Sequence, residues 1–278
     1  METLKILIPT DFSVQAEFAY LMVKKLAEKT QTDIHFLHVL EVPETVTLDK
    51  DGKVQTCGEI GVDYVTVQKE IAERKLKNLR AQYGEDIQTH LILGRLTDGI
   101  LSFSAEGKYD LIVMGTKGAT GLKEKLSGSE TQIIARRSEI PLLSLMCDRS
   151  DLQIRNILHV HDFRKEDKTD LTLLKKFVGL FNARVHQLQI ISNESLEEKQ
   201  QLLTMMDRYA AYHGITDVQN HLLKDIHVEN GVVHFNQMHE MDLVCIGTHG
   251  KGGFFHPSVT EKLINHLYKP VISYRYKN

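Results

Sequence analysis

Short apolar runs alternate with longer segments in which apolar residues recur at helical spacing along the first half of the chain. The runs predict five strands, at 4–8, 33–40, 87–93, 110–114 and 141–146. The longer segments predict four helices, the first capped by Ser13 and running to Glu28, and the others at 64–83, 98–106 and 128–137. Strands that alternate with helices predict a parallel sheet with helices on both faces.

Two details of this pattern concern the segment between the second and third strands. The polar stretch 41–60 is predicted as a loop with a turn at 49–52. The DKDGK sequence of this turn resembles the start of a calcium loop but lacks the late glutamate, so a hairpin turn is favoured over a metal site. In the helix that follows, apolar spacing predicts a buried face formed by Val67, Ile71, Leu76 and Leu79.

The second half of the chain repeats the first in the same order. KILIPTDF at 5–12 matches NILHVHDF at 156–163, DLIVMGTKG at 110–118 matches DLVCIGTHG at 242–250, and IPLLSL at 140–145 matches KPVISY at 269–274. Three ordered matches indicate a duplication. We therefore predict two tandem α/β domains, at 1–147 and 153–278, separated by the polar stretch 147–153. Strands are expected near residues 157, 186, 221 and 243, with a helix at 194–213.

Composition narrows the classes of function. The net charge of −3 and the absence of a basic stripe disfavour nucleic-acid binding. No apolar run reaches the roughly 18 residues that a membrane span needs. The N-terminal sequence leads straight into a strand without a signal-peptide pattern, and three widely spaced cysteines favour a reducing compartment. We expect a cytoplasmic protein.

A glycine-rich loop follows the fourth predicted strand. Glycines stand at 115, 118, 121 and 128, and Gly128-Ser129 opens the next helix. Glycines let backbone amides converge on one point, and a helix start adds free N–H groups and a positive dipole. Together they predict an anion site suited to phosphates. The loop is neither a Walker A motif nor a GxGxxG motif. Many glycine-rich loops bind nothing, so spacing alone leaves that alternative open.

The spacing Gly115-x2-Gly118-x9-Gly128-Ser129, together with PTDFS at 9–13, resembles the motif of ATP-binding universal stress proteins. The resemblance implies an adenine-nucleotide alpha-hydrolase-like fold with two open five-stranded parallel sheets of strand order 3-2-1-4-5. It implies ATP, with Mg²⁺, in the first domain. It places Asp11 and the backbone of Val39 at the adenosine, Gly115 and Gly118 along the ribose and phosphates, and Gly128 and Ser129 at the phosphates.

Departures from the family pattern limit the resemblance. Glu130 follows Ser129 and is counted among the candidate nucleotide-binding residues, but its carboxylate would repel a triphosphate unless it turns outward. Three alternatives stay open: the side chain turns outward, it weakens ATP binding, or it favours another ligand. In the second half, Gly247 and Gly250 are retained and Asp162 matches Asp11. However, Pro257-Ser258 replaces Gly128-Ser129, which removes a backbone donor, and Phe254 and Phe255 add bulk. We therefore expect a nucleotide site in the first domain and a structural partner in the second.

Histidines suggest a metal site, since His159 and His161 are expected on one face of a strand near Asp162, and His249 and His256 in a nearby loop. Their spacing matches no defined site, and we assign no metal ligand. We also assign no catalytic residue, because no general base or nucleophile is placed by a known pattern.

Three functions remain open. The first is a nucleotide-dependent regulator in stress response, the second is a ligand-free interaction scaffold, and the third is a slow ATP hydrolase or adenylate enzyme. The family resemblance also implies that the last strands of the two domains, 142–145 and 271–274, pair edge to edge as an intrachain pseudo-dimer, which removes two exposed edges. It leaves room for further association into a homo-oligomer.

Overall fold

The computed structural model describes residues 3–58, 60–116, 127–163, 170–248 and 257–275. The chain folds into two compact units, Met1–Met114 and Gly115–Asn278. Among the helices described in these ranges, none is both long enough and apolar enough to cross a membrane.

The first unit is a four-stranded parallel sheet with helical crossovers. Its elements, in chain order, are β1 (Leu4–Pro9), α1 (Val14–Ala27), β2 (Thr32–Glu41), β3 (Val46–Leu48), β4 (Val54–Thr56), α2 (Val62–Tyr83), β5 (Gln88–Gly94), α3 (Leu96–Glu106) and β6 (Leu111–Gly115), whose last residue opens the second unit. The strands lie in the order β5-β2-β1-β6. The predicted strands and helices are confirmed with small shifts of their ends, and Ser13 caps α1 by accepting a hydrogen bond from the amide of Ala16.

The stretch predicted as a loop contains a short hairpin. β3 and β4 pair in antiparallel fashion, with Val46 opposite Thr56. The predicted turn is confirmed: Oδ1 of Asp49 accepts hydrogen bonds of 2.9 Å from the amides of Asp51 and Lys53, and Gly52 adopts a φ of 75°. The carboxylate of Asp49 therefore serves the backbone of the turn.

The predicted buried face of α2 is wrong in two of its four positions. Val67 is 51% exposed and Ile71 is 37% exposed, whereas Val65, Ala72 and Leu76 are buried. The reason is the pair of short strands that flank the predicted turn, because Val65 packs with Val46 and Val54 in one apolar cluster. This contact fixes which face of the helix turns inward.

The second unit contains the rest of the described chain. Its elements are α4 (Ser127–Arg137), β7 (Leu142–Leu145), β8 (Asn156–Val160), α5 (Thr172–Phe181), β9 (Arg184–Ile191), α6 (Leu196–His213), β10 (Val218–Lys224), α7 (Val228–Met238), β11 (Leu243–Thr248), α8 (Pro257–His266) and β12 (Val271–Arg275). The strands lie in the order β10-β9-β8-β11-β12-β7. The first five of them show the predicted order 3-2-1-4-5 in full, and β5-β2-β1-β6 of the first unit shows its first four places.

The last strands of the two sequence repeats, β7 and β12, pair in antiparallel fashion, and they do so symmetrically. The register joins Leu142 with Ser273, Leu143 with Ile272 and Ser144 with Val271. Leu142 and Val271 are equivalent in the two repeats, as are Ser144 and Ser273. The pairing of Leu142 with Ser273 is therefore the symmetric counterpart of the pairing of Val271 with Ser144. Hydroxyls reinforce the pairing, since Ser144 donates to the carbonyl of Val271 at 3.3 Å and Ser273 to that of Leu142 at 3.5 Å. This pairing places β7 in the second unit although its sequence belongs to the first repeat.

Replacing Ser195 with alanine should lower the free energy of unfolding by about 1 kcal/mol. Ser195 and Glu198 form a capping box at the start of α6, in which each side chain accepts a hydrogen bond from the other residue's amide. Urea denaturation measures the change. Thr204→Ala on the exposed side of the same helix is the control and should change stability by less than about 0.5 kcal/mol. Equal effects of the two changes would show that the cap contributes nothing.

Candidate functional site

The turn after β1 places Asp11 at the carboxyl edge of the first unit. Oδ1 of Asp11 accepts a hydrogen bond of 2.9 Å from the amide of Ser13, and the residue is exposed. The buried Thr10 fixes the turn, because its amide donates to the carbonyl of Leu37 at 2.8 Å and its hydroxyl accepts from the amide of Phe12 at 3.0 Å. One carboxylate oxygen of Asp11 is thus engaged by the turn, on a residue that is exposed.

The backbone N–H and C=O groups of Val39 lie at the same edge, because β2 extends past the end of β1. The last paired residues are Pro9 and Leu37. Alternate residues of a strand direct their N–H and C=O groups to the same side, so Val39, two residues beyond Leu37, directs its own groups past the end of β1. Its side chain is buried. The predicted use of Val39 through its backbone stays a prediction.

A group of side chains beside Asp11 was not predicted from the sequence. Nδ1 of His38 lies 2.7 Å from the carbonyl of Thr10, to which it donates a hydrogen bond. The ring of Phe12 lies 4.6 Å from that of His38, and Nζ of Lys75 lies 5.1 Å from the centre of the Phe12 ring. Phe12 adopts a φ of 64°, which is uncommon for a bulky residue. Strain of this kind clusters at functional sites.

An open groove adjoins these side chains between α1 and α2. It has a volume of about 340 Å³, and aromatic rings and polar groups line it together, among them Phe12, Phe36, Lys75, Gln82 and Tyr83. Only the position of His38 immediately before Val39 could have indicated this group from the sequence, since the other contacts join residues far apart along the chain.

The glycine-rich loop begins at the carboxyl end of β6, which Gly115 closes. The next residue, Thr116, is buried, and its amide donates to the carbonyl of Leu145 at 2.7 Å. Gly118 lies outside the described residues. The structure therefore describes the first glycine of the predicted motif and the end of the motif, but not the second glycine.

Gly128 and Ser129 are the second and third residues of α4. Amides in the first turn of a helix have no partner within the helix, so those of Gly128 and Ser129 are available to an anion. Glu130 lies in the same turn and is half-buried. A carboxylate there is favourable toward the helix dipole but competes with a phosphate for the same positive end.

The corresponding edge of the second repeat differs in burial and chemistry. Asp162 is 6% exposed, whereas its counterpart Asp11 is exposed. Oδ1 of Asp162 accepts a hydrogen bond of 3.3 Å from Nε2 of Gln189, and Nε2 of the buried His159 lies 2.7 Å from the hydroxyl of Tyr274. The carboxylate of Asp162 is thus engaged within the protein.

The described part of the second repeat bears on the possible metal site at its histidines and on the reactivity of Cys245. Within the described ranges, no cluster of three or more His, Cys, Asp or Glu side chains is arranged to hold a metal ion. His249 and His256 lie outside those ranges, as do Gly250, Phe254 and Phe255. Cys245 is buried in β11, and burial raises the pKa of its thiol far above the ordinary value, which makes it unreactive.

The fold and this edge define a duplicated α/β protein of open parallel sheets, with a glycine-rich loop after the fourth strand of the first repeat. The model of the universal stress protein family matches residues 2–145. The chain belongs to this family.

Relatives of the family match half of the chain each. The universal stress protein MJ0531 of Methanocaldococcus jannaschii is 30% identical over 139 residues, which cover 50% of this chain and 79% of that protein. The universal stress protein MJ0577 of the same organism is 29% identical over 149 residues and is covered to 92%. The crystal structure of a universal stress protein from Archaeoglobus fulgidus covers 98% of both chains with a TM-score of 0.71 and 21% identity, which shows a shared fold.

Proposed function

We propose that the first repeat binds ATP with magnesium and that the protein acts as a nucleotide-dependent regulator in the cytoplasmic stress response. One observation carries the proposal: the motif Gly115-x2-Gly118-x9-Gly128-Ser129 starts at the carboxyl end of a parallel strand and ends in the first turn of a helix. Ligands of open α/β sheets bind beyond the carboxyl ends of the strands. Membership of the universal stress protein family supports the same assignment.

The phosphates are assigned to the end of this motif. The first-turn amides of Gly128 and Ser129 supply donors and the positive end of the helix dipole. Gly115 and Gly118 let the chain pass close to the ribose and phosphates without a side chain in the way. Glu130 counts against tight binding of a triphosphate, and Mg²⁺ would offset its charge.

The adenosine is assigned to Asp11 and Val39. The exposed carboxylate of Asp11 can accept hydrogen bonds from hydroxyl groups of a ribose. The backbone N–H and C=O of Val39 offer one donor and one acceptor to an adenine edge. We assign no catalytic residue, and on this proposal the bound nucleotide changes partner binding and is not consumed in a dedicated reaction.

We propose that the second repeat is a structural partner. In it the carboxylate of Asp162 is buried and engaged by Gln189, which leaves less to offer a ligand than Asp11 does. The symmetric register of β7 and β12 supports an intrachain pseudo-dimer of domains 1–147 and 153–278, because a two-fold interface pairs equivalent residues reciprocally.

Calorimetric titration of magnesium ATP into the intact chain tests the nucleotide proposal. We expect one site per chain and at least about a 100-fold loss of affinity in Gly118→Asp, because the new carboxylate would fill the cradle and repel phosphate. Gly250→Asp, the equivalent change in the second repeat, is the matched control and should leave the affinity unchanged.

Two results would contradict the proposal in different ways. Absence of binding by the folded wild type would remove ATP as a ligand and favour the scaffold. Equal loss of binding in both variants would place the site in both repeats or show that the loops act only through stability, which thermal melts of the two variants would distinguish.

A further inference from the structure

Two histidine pairs join the second strand of each repeat to the edge strand beside it. In the first unit, Nδ1 of His35 on β2 lies 2.9 Å from Nε2 of His90 on β5, and the rings lie within 5° of parallel. In the second unit, Nδ1 of His186 on β9 lies 3.0 Å from Nε2 of His221 on β10, with 14° between the rings. The same nitrogen atoms meet in both pairs.

The strand register of the two pairs is also the same. The paired residues are His35 with Gln88, Leu37 with His90, His186 with Gln219, and Leu188 with His221. The histidine pair is therefore a feature that both copies of the repeat carry at one place in the sheet, and each pair fastens an edge strand, β5 or β10, to its neighbour.

The hydrogen bonds of the second pair define its protonation. Oδ1 of Asn156 lies 3.2 Å from Nε2 of His186 and can only accept, so Nε2 of His186 carries the proton. Nδ1 of His186 then has a lone pair and accepts the hydrogen bond that Nε2 of His221 donates. A proton added to Nδ1 of His186 would turn this acceptor into a second donor and break the bond.

The first pair has the same arrangement with different neighbours. Oδ1 of Asp33 lies 3.0 Å from Nε2 of His35, which favours the proton on that nitrogen. The hydroxyl of Tyr109 lies 2.9 Å from Nδ1 of His35. Burial, and then Asp33, raise the pKa of Tyr109 to about 12, so its hydroxyl keeps its proton and acts as a donor. Nδ1 of His35 is thus the acceptor, as Nδ1 of His186 is, but its one lone pair is shared between the Tyr109 hydroxyl and Nε2 of His90.

The group beside Nε2 of the inner histidine differs in charge between the two pairs, because it is the carboxylate of Asp33 at His35 and the neutral amide of Asn156 at His186. Asp33 and Arg184 hold equivalent positions, each two residues before the inner histidine of its pair. The remaining groups that face the first pair are Lys5, whose Nζ lies over the Tyr109 ring, and the ring of Phe103 on α3. Those that face the second pair are Asp217, which is 2.8 Å from Arg184, and the rings of Phe235 on α7 and of His239 just after it.

We propose that the hydrogen bond of the histidine pair in the second repeat breaks on acidification and releases the edge strand β10. The pair of the first repeat has a carboxylate beside it and keeps β5 bound to lower pH. The proposal goes beyond nucleotide binding and does not depend on it. Release of β10 would free the edge of the sheet in the second unit, which is a place where other chains can pair.

The direction of the pH effect follows from linkage. Burial, and then the neighbouring His186 and His239, lower the pKa of His221 to about 4, while burial and then Arg184 lower the pKa of His186 against an opposing effect of Asp217. In the first pair, burial, and then His35 and Lys5, lower the pKa of His90, and the carboxylate of Asp33 opposes this shift. An unfolded histidine has a pKa of about 6.5. Below that pH the histidines bind protons in the unfolded strand but not in the folded pair. The stability that the pair supplies at neutral pH is therefore lost as the pH falls from 6.5 toward 4.

Hydrogen exchange of the full chain at about pH 7 and about pH 5, corrected for intrinsic rates, tests the proposal. We expect the protection of the β10 amides to fall at least about tenfold at the lower pH, and that of the β5 amides to fall less than about threefold. An equal response of the two strands, or none in β10, would overturn the proposal.

Two substitutions attribute the response to the pairs. His221→Gln keeps an N–H donor and leaves His186 as the one titrating member of the pair, so it should weaken the acid response of β10. Asp33→Asn removes the carboxylate beside the first pair and should bring an acid response to β5. If His221→Gln does not fold, the Asp33→Asn result alone decides, and an unchanged β5 would contradict the proposal.

Discussion

Replacing Ile272 with aspartate should lower the free energy of unfolding of the second unit by more than about 4 kcal/mol, because a carboxylate would lie buried among apolar groups. Ile272 is 1% exposed and lies opposite Leu143, which is 0% exposed. On its other side it pairs with Cys245 of β11. The substitution therefore changes the centre of β12, the strand that pairs symmetrically with β7.

Cys245 provides the readout. The buried thiol should resist alkylation in the wild type and react rapidly in Ile272→Asp, as peptide mass spectrometry would show. Arg275→Asp on the exposed end of the same strand is the matched control and should leave Cys245 protected. If Ile272→Asp also leaves Cys245 protected, the pairing of β7 and β12 does not stabilise the second unit.

Features carried by consecutive residues could be predicted from the sequence. The strand ends at Asp11, Val39 and Gly115 follow apolar runs that are visible in the chain, and the repeats identify the same strand ends twice. The turn between β3 and β4 was predicted as a hairpin turn, but its strands could not be predicted, because they have only three residues each. The face of α2 could not be assigned either, since the helix carries two apolar stripes and only the hairpin decides between them.

Features that depend on the register of neighbouring strands could not be predicted from the sequence. His38 meets Thr10 and Phe12 across strands, and each histidine pair joins residues that are 35 or 55 positions apart. The match of KILIPTDF with NILHVHDF aligns only the first strand of each repeat. The equivalence of His35 with His186 emerges only when the neighbouring strands are placed beside the first.

The same register shows how the second repeat diverged. Ile8 lies opposite Phe36 in the first repeat, and His159 lies opposite Gln187 at the same place in the second. An apolar pair has thus been replaced by a polar one. Gln187 is 0% exposed, and neither atom of its side-chain amide has a hydrogen-bond partner among the described residues.

Replacing Gln187 with methionine, which has a similar shape, should therefore raise the free energy of unfolding by about 1–3 kcal/mol, since a buried amide without partners costs about that much. Gln189→Met on the same strand is the matched control and should lower the stability by about 1–3 kcal/mol, because it removes the hydrogen bond to the buried carboxylate of Asp162. Urea denaturation of both variants gives the sign of each change in the free energy of unfolding.

If Gln187→Met destabilises the protein as much as Gln189→Met does, the amide of Gln187 has a partner in solution. A buried water or a small polar ligand would then occupy the second repeat, and its role as a purely structural partner would have to be given up.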